Sequence, residues 1–241
     1  VFNSSLRGKE LDSFNKEKDT FAPDYSKMKT GNGWQLSVQE SVKQTTINTI
    51  RYLVYRDGDG TLHYFKNSSG NTYVDEDGLG LKITQGTTGS DVGYTMVDQS
   101  GTERYFRNGY LKYIKDTNGN KICFLYNNYT YSDTHFTWHP PTSGAYLTSI
   151  VAARNGQTPQ TICTFQYSNN RLSSITDFAG RVTRYTYDEN GNLTKITHPD
   201  NTEAHYTYSS TGHLTGMYDA EAKYGIEYTY DGDGVSAIQE Y

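Results

Sequence analysis

Residues 180–201 read GRVTRYTYDENGNLTKITHPDN, and this stretch decides the fold. Tyr185-Thr186-Tyr187-Asp188 alternates aromatic and hydroxylic side chains, the two-residue period of a strand with unlike faces. Asn190-Gly191 interrupts it, and Leu193 and Ile196 follow three residues apart. The block returns as Tyr-Thr-Tyr-Ser at 206–209 and Tyr-Thr-Tyr-Asp at 228–231, with a degenerate copy around Phe165 and Tyr167. Leu172, Leu193, Leu214 and Val235 are spaced by 21 residues each time, as are Ile175, Ile196, Met217 and Ile238. Gly191 and Gly212 mark the turns. A fixed period of this length signals a repeat architecture in which each unit buries its apolar face against its neighbours. The predicted unit is a hairpin: a Tyr-x-Tyr strand, a glycine turn and a Leu-x-x-Ile strand.

The aliphatic spacing carries a second message. Residues three apart cannot share one face of a regular strand. Either both faces are partly apolar or every repeat contains a bulge, and a bulge in every repeat would curl the sheet. Tyrosines of successive units then lie two strands apart with an aliphatic side chain between them. Cross-strand Tyr–Leu and Tyr–Ile contacts contribute about 0.2–1 kcal/mol each.

Upstream the pattern is looser but still β. Trp34, Leu36 and Val38 alternate onto one face, as do Ile50, Tyr52 and Val54. Residues 52–65 read as strand, turn, strand, followed by pairs at 72–84, 94–106 and 111–126. Asn118-Gly119 and Asn190-Gly191 suit tight turns with both residues at positive φ. One long interruption spans 127–144, after which 146–151 pairs with 161–167. Residues 1–33 are polar and lack a clean period, which predicts an irregular lead-in or capping segment packed along the first strands. The repeat domain is expected over 34–241, with regular repeats from about residue 160.

Composition agrees with an all-β meander. Tyr and Gly each supply 23 of 241 residues, so Tyr rings must provide much of the buried area and Gly the turns. A net charge of −5 without a Lys/Arg cluster argues against a nucleic-acid partner. The longest apolar runs fall well short of a membrane span. The chain starts at Val1, with no leader pattern, and is expected to be a segment of a larger protein. Cys123 and Cys163 lie in strands that a third strand, around 147–150, would separate. Two strand spacings amount to about 9–10 Å, beyond the roughly 7 Å that a disulfide spans. Free thiols are predicted.

The repeat residues resemble the YD repeats of the RHS family, which occurs in bacterial polymorphic toxins, wall-associated proteins, toxin-complex C subunits and teneurins. The likeness is carried by GRVTRYTYDENGNLTKITHPDN at 180–201 and RNGYLKYIKDTNGNKICFLY at 107–126, and it weakens toward Trp34. It implies hairpins added side by side into a spiralling sheet, part of a shell that encloses a C-terminal effector. The Asp-Pro dipeptide of the family's self-cleaving segment does not occur here, so autoproteolysis is not implied. The implied partners are further repeats and an effector domain of the parent chain, in a secreted or cell-surface protein.

Other site readings are weaker. Asp57-Gly58-Asp59-Gly60 and Asp231-Gly232-Asp233-Gly234 lack the ligand spacing of a calcium loop, and Asx-Gly turn chemistry accounts for them. Asp133, His135 and His139 form the metal-like cluster of the sequence, but Pro140-Pro141 argue for a loop without a third ligand. Neither is assigned a metal, and no cofactor is implied. His135, Phe136, Trp138 and His139 make the long loop the candidate contact surface. The nucleophile-elbow, phosphate-loop and zinc-protease motifs are all missing, so the reading is non-enzymatic.

Tyr167, Tyr185, Tyr187, Tyr206, Tyr208, Tyr228 and Tyr230, with the aliphatics of the 21-residue period, are expected to act as scaffold. The alternative is a carbohydrate- or cell-surface-binding module. A shell predicts Tyr185, Tyr187, Tyr206 and Tyr208 mostly buried, whereas a lectin-like role predicts a solvent-facing aromatic strip. Either way, an open sheet edge near the C-terminus would self-associate or be covered by the lead-in.

Overall fold

In a computed structural model, residues 30–31, 33–88, 91–126, 146–221, 223–232 and 234–241 are described. They form eighteen strands and, among the described residues, no helix. The first eight are β1 (Ser41–Ile47), β2 (Ile50–Arg56), β3 (Leu62–Ser69), β4 (Thr72–Asp75), β5 (Lys82–Thr88), β6 (Asp91–Val97), β7 (Glu103–Arg107) and β8 (Tyr110–Lys115). Then come β9 (Lys121–Tyr126), β10 (Leu147–Ala153), β11 (Gln160–Ser168), β12 (Arg171–Asp177) and β13 (Val182–Tyr187). The last five are β14 (Leu193–Thr197), β15 (Glu203–Tyr208), β16 (Leu214–Asp219), β17 (Gly225–Asp231) and β18 (Gly234–Glu240).

Each strand pairs antiparallel with the next, so the sheet is one continuous meander. The sheet also closes on itself once. Ser41 of β1 bridges Tyr110 of β8, and Val42 N donates to Gly109 O at 3.1 Å. Strands β1–β8 therefore make a barrel-like ring, from which β9–β18 continue as a curved sheet. About eight strands is the size at which side chains alone fill a barrel interior. They do so here: Val42, Leu53, Phe65, Tyr73, Ile83, Tyr94, Met96, Phe106 and Leu111 share one buried cluster that runs on to Phe165 and Leu172. The core is as aromatic as it is aliphatic.

One upstream expectation is corrected. Residues 34–40 do not form a strand. Trp34 makes an isolated bridge, a turn follows at Ser37–Val38, and the first strand begins at Ser41. On β2, by contrast, Ile50, Tyr52 and Val54 do share one face, and the main core takes Leu53 and Tyr55 from the opposite one. Of the lead-in, only residues 30, 31 and 33 are described, and just beyond them Gln35 donates to Asp57 O and Gly58 O at the turn between β2 and β3. Gly31 sits against the Leu193 backbone and Trp34 against Tyr206, far along the chain.

The turns also differ from expectation at one residue each. Gly119 and Gly191 have φ of 86° and 88°, but Asn118 and Asn190 are not among the positive-φ residues. These turns run five residues from Asp116 to Asn120 and from Asp188 to Asn192, closed by Asp188 N donating to Asn192 O at 3.0 Å and Gly191 N to Asp188 O at 3.1 Å. That is the three-residue hairpin class with its left-handed residue last. The two-residue type with both positions at positive φ occurs instead at Asn108-Gly109 and Asn169-Asn170.

Cys123 and Cys163 are free. Strand β10 separates them, with Ile150 opposite Cys163 and Val151 opposite Cys123. Cys123 packs with Leu125 and Val151 on the outer face, while Cys163 borders the main core.

Candidate functional site

The bulge anticipated from the Leu-x-x-Ile spacing is present in all four repeats. Tyr187 pairs with Leu193 and Thr186 with Lys195, which leaves Thr194 as the extra residue. The same slip occurs between Gln166 and Tyr167, between Thr207 and Tyr208, and between Thr229 and Tyr230. The bulge returns both aliphatics to one face: Leu193 lies opposite Tyr187 and Ile196 opposite Tyr185.

It also opens a gap on the far side of the leucine. Pairing of β12 with β13 stops at Ser174, two residues short of Leu172. Pairing of β14 with β15 stops at Lys195, and of β16 with β17 at Gly216, again two short of Leu193 and Leu214. The leucine carbonyl is thus left without a ladder partner in a place where Leu172, Leu193 and Leu214 are 0%, 2% and 3% exposed. A buried carbonyl must find a donor.

A tyrosine of the next hairpin supplies it. Tyr187 Oη donates to Leu172 O at 2.8 Å, Tyr208 to Leu193 O at 2.7 Å and Tyr230 to Leu214 O at 2.7 Å. The arrangement extends upstream, where Tyr126 donates to Leu111 O at 3.0 Å and Tyr167 to Leu147 O at 2.9 Å. There too pairing ends two residues short of the leucine, at Tyr113 and Ser149. The second tyrosine of each Tyr-x-Tyr block is therefore a rung that ties one hairpin to the one before it. Burial pushes the Tyr167, Tyr187 and Tyr208 hydroxyls well above the usual phenol range, and Tyr185 up to about 12.

At four of the five rungs the residue just before the leucine covers the tyrosine ring. Tyr110 packs on Tyr126 and Tyr146 on Tyr167 with ring centroids 5.0 and 4.9 Å apart. Arg171 lies 5.7 Å over the Tyr187 ring, and His213 is 4.5 Å from that of Tyr230. At the third repeat the contact comes from Trp34, just past the lead-in. Trp34 meets Tyr206 edge to face at 4.8 Å, and its Nε1 donates to Tyr208 Oη at 2.8 Å.

The Asp that closes each block shapes the turn. Asp116 Oδ1 accepts from the Asn118 and Asn120 amides, and Asp188 Oδ1 from that of Asn192. Asp57, Asp98 and Asp177 repeat the pattern, and Ser209 Oγ takes the carboxylate's place by accepting from His213 N. Hydrogen bonds from Asn120 and the turn backbone hold the Asp116 carboxyl below its ordinary range. At Asp188 burial works upward, but the Asn192 hydrogen bonds outweigh it. These carboxylates are occupied by their own turns. No group of three potential metal ligands gathers among the described residues.

The repeat positions divide by place. Leu172, Leu193 and Leu214 are buried; Tyr167, Tyr185, Tyr187, Tyr206, Tyr208, Tyr228, Tyr230, Ile175, Ile196 and Met217 are half-buried. Tyr185, Tyr187, Tyr206 and Tyr208 thus fall between the mostly buried rings of a shell and the open strip of a lectin. Gly191 is buried and Gly212 half-buried in their turns. Val235 and Ile238, on the last strand, are 51% and 61% exposed. His135, Phe136, Trp138 and His139 lie outside the described residues. The rung hydrogen bonds and Trp34's contact were not anticipated from the sequence. A signal for the rungs existed, because Leu111, Leu172 and Leu193 each precede their tyrosine by 15 residues.

Comparison with known proteins adds the following. A family model described as RHS Repeat matches residues 167–203 and 187–224. The tRNA nuclease WapA of Bacillus subtilis strain 168 is 30% identical over 177 residues, covering 72% of this chain and 7% of that protein. The tRNA(Glu)-specific nuclease WapA of Bacillus subtilis subsp. natto matches to the same extent. The chain therefore spans about 7% of the length of these relatives. Among solved structures, a TcdB2-TccC3-Cdc42 crystal structure aligns with a TM-score of 0.42 at 12% identity, over 79% of this chain and 11% of that one.

Proposed function

Because the chain belongs to the RHS-repeat family, we propose that it is a wall segment of a β-shell in a larger toxin-like protein, enclosing or presenting a C-terminal effector. The observation that carries this reading is the rung system. Five tyrosine hydroxyls tie successive hairpins together through carbonyls that the bulges leave open. Such a scheme adds hairpins without limit and bends the sheet at each addition. The repeat tyrosines, the Leu-x-x-Ile aliphatics and Gly191 and Gly212 act as scaffold, and the segment itself catalyses nothing. Residues 1–33 form the lead-in and 34–241 the repeat sheet.

The wall's partners are further repeats joined at β18 and the effector they confine, in a secreted or surface-displayed protein. Among the described residues β18 pairs with β17 alone, and all seven of its residues are exposed. An effector kept inside cannot reach its substrate, so confinement is the mechanism. The test is the intact mass of the natural protein captured from its source, followed by limited proteolysis. A mass several-fold above 27.2 kDa, with a protease-protected C-terminal portion, is the expected result. A mass near that of this chain alone would overturn the reading.

A further inference from the structure

The segment from Gly31 to Trp34, where the lead-in meets the repeat sheet, shows what the inner face can bind. Gly31 rests on Leu193, and the Trp34 indole meets the ring of Tyr206 and the hydroxyl of Tyr208. An added Cβ on Gly31 would lie 2.9 Å from Leu193 N, so the backbone itself makes contact there. Leu193, Tyr206 and Tyr208 are thus a socket for an aromatic side chain on a closely approaching backbone. The Tyr208 hydroxyl does two things at once: it donates to Leu193 O and accepts from the indole.

One period earlier, 21 residues back, the same three positions are Leu172, Tyr185 and Tyr187. They line a cleft of about 370 Å³, together with Arg171, Thr186 and Asp188. The rung geometry is conserved between the two repeats: Tyr187 donates to Leu172 O at 2.8 Å, against 2.7 Å for Tyr208 and Leu193. The Tyr187 hydroxyl has the same second role open to it, since a phenol can accept as well as donate. Arg171 packs over the Tyr187 ring and also lines the cleft.

We propose that Leu172, Tyr185 and Tyr187 form a second aromatic socket, whose ligand is a tryptophan presented on a tight glycine turn, as Trp34 is by the turn that its N–H closes on Gly31 O at 3.0 Å. Trp34 is the built-in occupant of the first socket, and the second takes the same chemistry from another stretch of chain. The inner wall then engages its contents through periodic indole contacts rather than by confinement alone. This rests on the wall reading in the sense that it assigns the wall's inner face a ligand.

The probe is a synthetic peptide with the sequence of residues 31–37, Gly-Asn-Gly-Trp-Gln-Leu-Ser, titrated by calorimetry into the full 241-residue chain. Trp34 competes from within the molecule, where tethering gives it an effective concentration in the mM range, so the added peptide fills the Tyr185/Tyr187 socket. Tyr187→Phe removes the acceptor and is expected to weaken binding about 5–10-fold, the loss of roughly one neutral hydrogen bond. Trp34→Ala vacates the first socket and is expected to raise the stoichiometry by one peptide. A peptide with Ala in place of Trp should not bind.

Should Tyr187→Phe lose its fold, Arg171→Ala and Trp34→Ala still report: the first alters affinity, the second the stoichiometry. Absence of saturable binding, or an unchanged stoichiometry in a folded Trp34→Ala protein, overturns the proposal. Neither outcome touches the wall reading, which the intact mass decides separately.

Discussion

Replacing Tyr187 by Phe isolates the rung from everything else the side chain does. The ring, its half-buried position and its stacking with Arg171 at 5.7 Å all remain. What disappears is the 2.8 Å hydrogen bond to Leu172 O, whose residue is 0% exposed and lies two positions beyond the end of its strand pairing. Phe brings no replacement donor, and water has little access, so the carbonyl is left unsatisfied. An ordinary net hydrogen bond contributes about 1 kcal/mol and an unsatisfied buried acceptor costs about 1–3 kcal/mol, which places the expected loss near 1–2 kcal/mol. For a domain of this size, each kcal/mol moves Tm by roughly 2–4 °C. Tyr208→Phe should cost at least as much, because its hydroxyl also receives the Trp34 indole. The control is Tyr64→Phe, at a side chain 40% exposed, where a change within about 0.5 kcal/mol is expected. Thermal and denaturant unfolding of the three variants decide the matter. If Tyr187→Phe and Tyr64→Phe unfold alike, the hydroxyl is not a rung and the argument from the open carbonyl fails.

The same hydroxyls make stability fall in alkali. Burial raises the folded pKa of Tyr185 to about 12, and those of Tyr167, Tyr187 and Tyr208 rise as well. The unfolded value is about 10, so their contribution is complete below that pH and is lost as pH climbs through the folded pKa values; a denaturation midpoint constant from pH 9 to about pH 12 would contradict this. Gly191→Ala should destabilise by about 1–2 kcal/mol, since φ is 88° there and a Cβ would collide with the Arg171 guanidinium, whereas Gly86→Ala, in open space at ordinary φ, should be nearly neutral. At the open edge, amides of β18 should exchange faster than those of β12, and Ile238→Lys, at a position 61% exposed, should reduce any concentration-dependent association in sedimentation. A monomer at all concentrations would count against self-association through that edge.

How legible this was in the sequence depends on the kind of interaction. The meander and its hairpins followed from Tyr-x-Tyr alternation, whereas aliphatics three apart left two solutions, a bulge or two partly apolar faces, of which the structure takes the bulge. The turn geometry was half legible: Gly191 had to be left-handed, but nothing local distinguished a two-residue loop from a three-residue one closed by Asp188 and Asn192. The rungs were missed because a tyrosine hydroxyl's partner is a main-chain carbonyl, which every residue possesses and no residue type advertises. The ring closure at Ser41 and Tyr110 and the docking of Trp34 on Tyr206 were missed for another reason. Trp34 and Tyr208 are 174 residues apart, and a single sequence carries no record of which distant segments meet.

The rungs also give the array a direction. Each tyrosine reaches back to the leucine of the hairpin before it, from Tyr126 to Tyr230, and none of these five bonds runs forward. A hairpin is therefore completed only when its successor arrives to satisfy its leucine carbonyl and cover its face. The N-terminal end escapes this dependence, because β1 closes on β8 and the ring fills its own interior. The C-terminal end does not. Val235 occupies the leucine position at 51% exposure, against 3% for Leu214 one period earlier, and the difference measures what a following Tyr-x-Tyr strand would bury. In nearest-neighbour terms the last hairpin has its intrinsic stability but only one interface. Among the described residues the sheet is thus closed on itself at β1 and β8 and open-edged at β18.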